Sequence, residues 1–145
     1  MRTLLRAALV AASLVCAPAL RAQDAHFRVV VNAANPVASI SRDELSRLLL
    51  KKVTTWSSGR PVMLVDQAEA SPVRREFTKA VHRKEVSSVK SYWQTMIFAG
   101  RAVPPSEKPS DAEVIAFVGS NPNAIGYVSA DAPIGTGLRV VAIDR

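Results

Sequence analysis

Cysteine is nearly absent: the chain of 145 residues has one, Cys16. It falls in an N-terminal segment that reads as a leader, so the rest has no disulfide, no thiol chemistry and no thiolate metal site. Histidine occurs twice, as His26 and His82, and no His, Asp or Glu cluster has metal-ligand spacing. The motif Gly-x-Ser-x-Gly is missing, as are the glycine-rich loops that cradle nucleotides. No repeat or low-complexity stretch is present. These absences argue against an enzyme and against a cofactor. What remains is a globular composition, 48% hydrophobic and 21% charged, which excludes disorder.

The chain opens with a short basic stretch, Met1 to Arg6, followed by an apolar run from Ala7 to Leu20. That run is roughly 14 residues, and a bilayer takes about 20. Small residues follow in Ala19-Leu20-Arg21-Ala22, the layout of a secretory signal peptide over residues 1–22. Cleavage is expected after Ala22, with Ala19 as the alternative. Leu14-Val15 before Cys16 is not a lipobox, so no lipid anchor and no stable membrane insertion are expected. Residues 23–145 then form one exported, periplasmic domain, long enough to bury a core unaided. Removing the leader takes away three arginines and no acid, so the +7 of the full chain falls to +4. In an exported domain this balance points to anions or acidic surfaces rather than nucleic acid.

Strands alternate with capped helices along the chain. Phe27 to Asn32 is a strand whose near-continuous apolar run implies burial on both faces. Ser41 and Glu44 form a capping box, and the helix behind it buries Leu45, Leu48 and Leu49, ending near Lys51-Lys52. Pro61 to Val65 is a second strand. Ser71-Pro72 starts a helix with an apolar face of Val73, Phe77, Ala80 and Val81. Another helix spans roughly Val86 to Phe98. Ser110 and Glu113 make a second capping box, and strands follow at 124–128 and 138–143. The class is α/β with a mainly parallel sheet flanked by helices. In such sheets ligands sit at the carboxyl ends of strands, beside helix N-termini.

The start of the Ser71 helix is the informative spot. Arg74 and Arg75 fall in its first turn, where the macrodipole disfavours cations. Backbone N–H groups, a hydroxyl and two guanidiniums gather there, a plausible anion site. A solvated basic face is the other reading, since Lys79, Arg83 and Lys84 continue it. His82 reads as a solvated surface residue of that face. Asp43-Glu44 is explained by capping, and Trp56, Trp93 and Tyr127 read as core.

Four blocks resemble the phosphate-binding-protein family, periplasmic solute receptors of phosphate ABC transporters with the type II clamshell fold. The first is Asn32…Pro36, Leu48-Leu49-Leu50-Lys51 and Trp56-Ser57-Ser58-Gly59. The second is Ser71-x-x-Arg74-x-x-Phe77. The later blocks are Tyr92-Trp93…Gly100…Pro104-Pro105 and Asn123 to Val128. The resemblance implies a single lobe of a type II periplasmic binding protein, similar to the family's short members. It implies phosphate or a similar oxyanion as ligand and Ser71, Val73, Arg74 and Glu69 as candidate site residues, to which the basic helix start adds Arg75. Ser71 matches a family Ser that binds an anion oxygen, and Arg74 matches an Arg of many members. Glu69 stands where an acid can accept a proton from hydrogen phosphate. Pro72 and Val73 replace a Gly and a Thr, removing an N–H donor and a hydroxyl, and Gln67 stands where some members have an Arg. The implied function is a weakly oxyanion-binding solute module. The alternative is an envelope module for a protein partner or self-association that keeps the lobe without capturing a free ligand.

Overall fold

The computed structural model describes residues 26–144. The expected signal peptide, its cleavage after Ala22 or Ala19, and Cys16 all lie outside the described residues.

Six strands form one sheet: β1 (Phe27–Asn32), β2 (Ser39–Ser41), β3 (Met63–Gln67), β4 (Ser106–Lys108), β5 (Ala124–Ser129) and β6 (Leu138–Asp144). Their spatial order is β2-β6-β1-β5-β3-β4. Three pairings are parallel, β2 with β6, β3 with β4 and β3 with β5. Strand β1 departs from this and runs antiparallel to both of its neighbours, β5 and β6. Burial on both faces, which the apolar run of β1 does specify, is met by helices on each side of a mixed sheet.

Among the described residues the α-helices are α1 (Arg42–Leu49), α2 (Pro72–Phe77), α3 (Val86–Phe98) and α4 (Asp111–Ser120). Alternation along β1 divides the core. Phe27, Val29 and Val31 join Leu45, Leu48, Phe77 and Tyr127 under α1 and α2. Val30 turns the other way and packs with Val114 and Val118 of α4. A smaller cluster of Leu50, Val89 and Trp93 ties α3 to the end of α1. Trp56, Trp93 and Tyr127 are buried, as core residues.

The caps form as the sequence indicates. The Glu44, Arg74 and Glu113 amides donate to the hydroxyls of Ser41, Ser71 and Ser110. Helix α1 stops at Leu49, short of the expected Lys51-Lys52, because Lys51 adopts a left-handed φ of 52°. Strand β3 lies two residues later than expected, from Met63 to Gln67. Helix α2 runs on into a π-helical turn, Thr78–His82, closed by Arg83 at φ 54°. That turn corrects the reading of His82 as a solvated residue. It brings the imidazole against Phe77 edge-on and within 2.8 Å of the Ser46 hydroxyl on α1.

Much of the Asn32…Pro36 block serves the scaffold. Asn32 Nδ2 donates to the carbonyls of Val118 and Gly119 at 3.0 and 2.9 Å, satisfying the open end of α4. Gly126 in β5 lies under α4, where a Cβ would meet Val65 Cγ1 at 2.5 Å and Val114 Cγ1 at 3.0 Å.

Candidate functional site

Strands β3 and β5 are parallel neighbours, so their carboxyl ends, Gln67 and Ser129, emerge at the same edge of the sheet. Helix α2 begins five residues after Gln67, and α4 begins soon after the adjacent strand β4. Both helix starts therefore open onto one edge. Between them lies a cleft of about 510 Å³ whose lining includes Gln67, Ser71, Val73, Ser110, Asp111 and Ser129. Two lining residues, Val73 of α2 and Asp111 of α4, stand in first turns and carry amides with no acceptor inside their helices.

One hydrogen-bonded chain crosses the cleft floor. Ser71 Oγ donates to Gln67 Oε1 at 3.0 Å. Gln67 Nε2 donates to Asp111 Oδ1 at 2.6 Å and to the Tyr127 carbonyl at 3.2 Å. The Ser129 amide donates to the same Asp111 oxygen at 3.2 Å. Asp111 occupies the first position of α4, where the macrodipole favours a carboxylate. The fold thus sets an anion of its own at one of the two helix starts. A second carboxylate, Glu76, also lines the cleft, and among the described residues no Lys or Arg does.

The five residues singled out in the sequence separate in space. Ser71 and Val73 line the cleft. Arg74 is buried and turned away from it. Its Nη2 lies 3.3 Å from Asp66 Oδ2, and its Nη1 donates to Glu107 Oε1 and to the Gln67 carbonyl. Arg75 is exposed on the outer side of α2. Glu69 reaches Lys90 on α3, with an oxygen 3.0 Å from its ammonium. The signal for the residues that sequence reasoning passed over was there in outline. Ser110 to Glu113 reads as a cap, and a second capped helix after a strand of the same sheet marks the same edge.

Behind the cleft, three groups share a buried network. Tyr127 donates its hydroxyl proton to Asp66 Oδ1, and Asp66 faces Arg74. Burial raises the Asp66 carboxyl above its ordinary range, while Arg74 and the Tyr127 hydrogen bond hold part of that rise back. Burial and the neighbouring Asp66 charge push the Tyr127 hydroxyl up. His82 is pushed down to about 4 by burial first and then by Arg74, Lys84 and Lys52. Among the described residues no group of three His, Cys, Asp or Glu side chains is placed to hold a metal ion.

A family profile for the PBP superfamily domain matches residues 22–144. The chain belongs to the PBP superfamily. Solved structures of similar fold include a candidate phosphate ABC transporter substrate-binding protein from Clostridium perfringens with bound phosphate. It is 20% identical at a TM-score of 0.66, over 82% of this chain and 45% of that one. An ABC-type phosphate transport receptor from Vibrio cholerae is 20% identical at a TM-score of 0.63, over 80% of this chain and 45% of that one. This PBP domain therefore spans less than half the length of those structures. No curated protein matches the sequence. The resemblance read from the four blocks is borne out, and the fold is that of solute-binding proteins.

Proposed function

We propose that this PBP domain is a one-lobe, exported solute-binding module that takes phosphate or a related oxyanion weakly in the cleft between α2 and α4. The observation that carries this reading is the convergence of two Ser-capped helix starts on one cleft at the carboxyl ends of β3 and β5. Ser71, the Val73 amide and the Asp111 amide are the donors we assign to the ligand. Arg74, paired with Asp66 and Glu107, supports the floor from behind.

The binding is weak for physical reasons. Hydrogen bonds to a charged group contribute about 1.5–3 kcal/mol each. Association costs an estimated 4–15 kcal/mol. Asp111 and Glu76 oppose a free anion, and the cleft is open on one side. A dissociation constant of about 1 mM or weaker follows, near 4 kcal/mol of net binding. An oxyanion that still carries a proton fits better than a fully ionised one, because it can donate to Asp111.

Titration calorimetry with phosphate tests the reading, with sulfate and chloride as controls. Saturable heat with phosphate, reduced by Ser71→Ala, is the expected result. No heat at tens of millimolar from folded protein would overturn it. The second reading, an envelope interaction module, is favoured by one observation: Asp111 already accepts from Gln67 and Ser129, donors that a ligand would otherwise use. A protein partner or a second copy would then cover the cleft.

A further inference from the structure

At the end of the molecule where α1 stops and α3 packs, charge and apolar exposure coincide. No acid occurs from residue 45 to 65 or from residue 86 to 106. The first stretch carries Arg47, Lys51 and Lys52, and the second carries Arg101. The Leu50–Val89–Trp93 cluster holds the two stretches together. Tyr92 also donates its hydroxyl proton to the Leu50 carbonyl at 2.8 Å, and Lys52 Nζ lies 6.0 Å from the Tyr92 ring centre.

Helix α3 ends at this site in a tight reversal. Gly100 takes a left-handed φ of 63°, its amide donates to the Ile97 carbonyl, and the Arg101 amide donates to the Met96 carbonyl. The reversal leaves Phe98 91% exposed, Val103 63% and Ile97 49%. A Phe this exposed, beside Arg101 and with no acid on its own helix or in the loop after it, is an apolar tip in a basic setting.

We propose that this tip docks on an anionic lipid surface, with Phe98 and Ile97 among the head groups and Lys51, Lys52, Arg47 and Arg101 over the lipid charge. Nothing in it spans the bilayer, since no helix among the described residues is long and apolar enough to cross one. Surface association of this kind combines an apolar anchor with a cluster of cations, and each is too weak alone. A second copy of the chain fits poorly, because it would bring the same cations face to face. A protein partner fits poorly too. Three side chains fall short of the roughly 800 Å² per partner that a standard interface buries.

The test is co-sedimentation of the chain from His26 onward, which contains all three core clusters, with two kinds of vesicle. One is an equal mixture of phosphatidylglycerol and phosphatidylcholine; the other is phosphatidylcholine alone. The mixture should retain the protein at low salt and release it near 0.5 M salt, where screening is strong. Phe98→Ser should weaken the partition about tenfold, and Lys51→Glu with Lys52→Glu by about tenfold or more. Arg75→Glu with Lys79→Glu, on α2 and its π-helical turn, should leave it within about twofold. Circular dichroism melts establish that each variant is folded. The proposal is overturned by no retention on the anionic vesicles, or by retention that Phe98→Ser does not change. It is overturned equally by a loss as large in the Arg75/Lys79 variant, or by a dimer in light scattering that Phe98→Ser dissolves.

Discussion

Helices α2 and α4 begin alike and rest on different physics. Each follows a strand of the same sheet, each has a serine N-cap, and each opens on the same cleft. In α4 the first turn carries Asp111 and Glu113, which suit the positive end of the helix. In α2 the first turn has no acid, and Arg74 and Arg75 stand at the third and fourth positions of the helix. The fold compensates by burying Arg74 between Asp66 of β3 and Glu107 of β4. The lesson is that the same local cap marks the same cleft edge in both cases, while a long-range ion pair decides which side chains reach it.

If α2 is held by that pair, removing half of it should have the largest effect. Arg74→Ala leaves Asp66 buried without its partner and should cost about 3–5 kcal/mol in a denaturant melt. Replacing Asp66 and Arg74 together by leucine should cost much less, because no lone charge is left in the core. A loss below about 1 kcal/mol for Arg74→Ala would mean that the pair does not hold the helix.

The far end of the same segment should respond to acid, and α4 should not. The folded pKa of His82, about 4, lies below its ordinary 6.5, so the fold holds the neutral imidazole. As pH falls from 6.5 to 4 the unfolded chain takes up the proton first, and stability is lost across that window. The groups facing the ring are Ser46, Phe77, Arg74, Lys84 and Lys52. Melts at pH 6.5 and pH 4 should show the wild type losing up to roughly 3 kcal/mol more than His82→Asn. Equal losses would remove this contrast between the helices.

Helix α4 depends on close approach to the sheet. Gly126→Ala places a methyl group against Val65 and Val114 and should cost about 1–3 kcal/mol, with no dependence on pH. The smallest effects belong to the caps. Ser110→Ala and Ser71→Ala should each cost about 1 kcal/mol, with Ser71 the larger because its hydroxyl also donates to Gln67. The reverse order would show that the Gln67 bond adds nothing.

What the sequence disclosed follows the reach of each interaction. The three serine caps, the buried run of β1 and the later strands rest on neighbours in sequence, and they stand where the pattern puts them. The edge strands β2 and β4 have three residues each, and Ser106-Glu107-Lys108 has no apolar alternation to show. An apolar run reports burial and not direction, so the antiparallel setting of β1 was hidden. Asp66 and Gln67 extend β3 into polar sequence because partners on other elements satisfy them, namely Tyr127, Arg74 and Asp111. The orientation of Arg74 depends on Glu107, 33 residues away, and no local rule reaches that far. Of the candidate site, Ser71 and Val73 were legible. In the sequence Asp111 shows only as part of a cap, and the pairing of Glu69 with Lys90 depends on where α3 packs.

The most direct measurement is a phosphate titration followed by amide NMR at Val73 and Asp111, cleft-lining residues in the first turns of α2 and α4. If both helix starts serve one oxyanion, the two amides shift together along a single saturation curve with a midpoint of about 1 mM or above. Chloride at the same ionic strength leaves them in place. Amides that stay still at tens of millimolar phosphate, or a shift confined to one helix, would contradict a shared site.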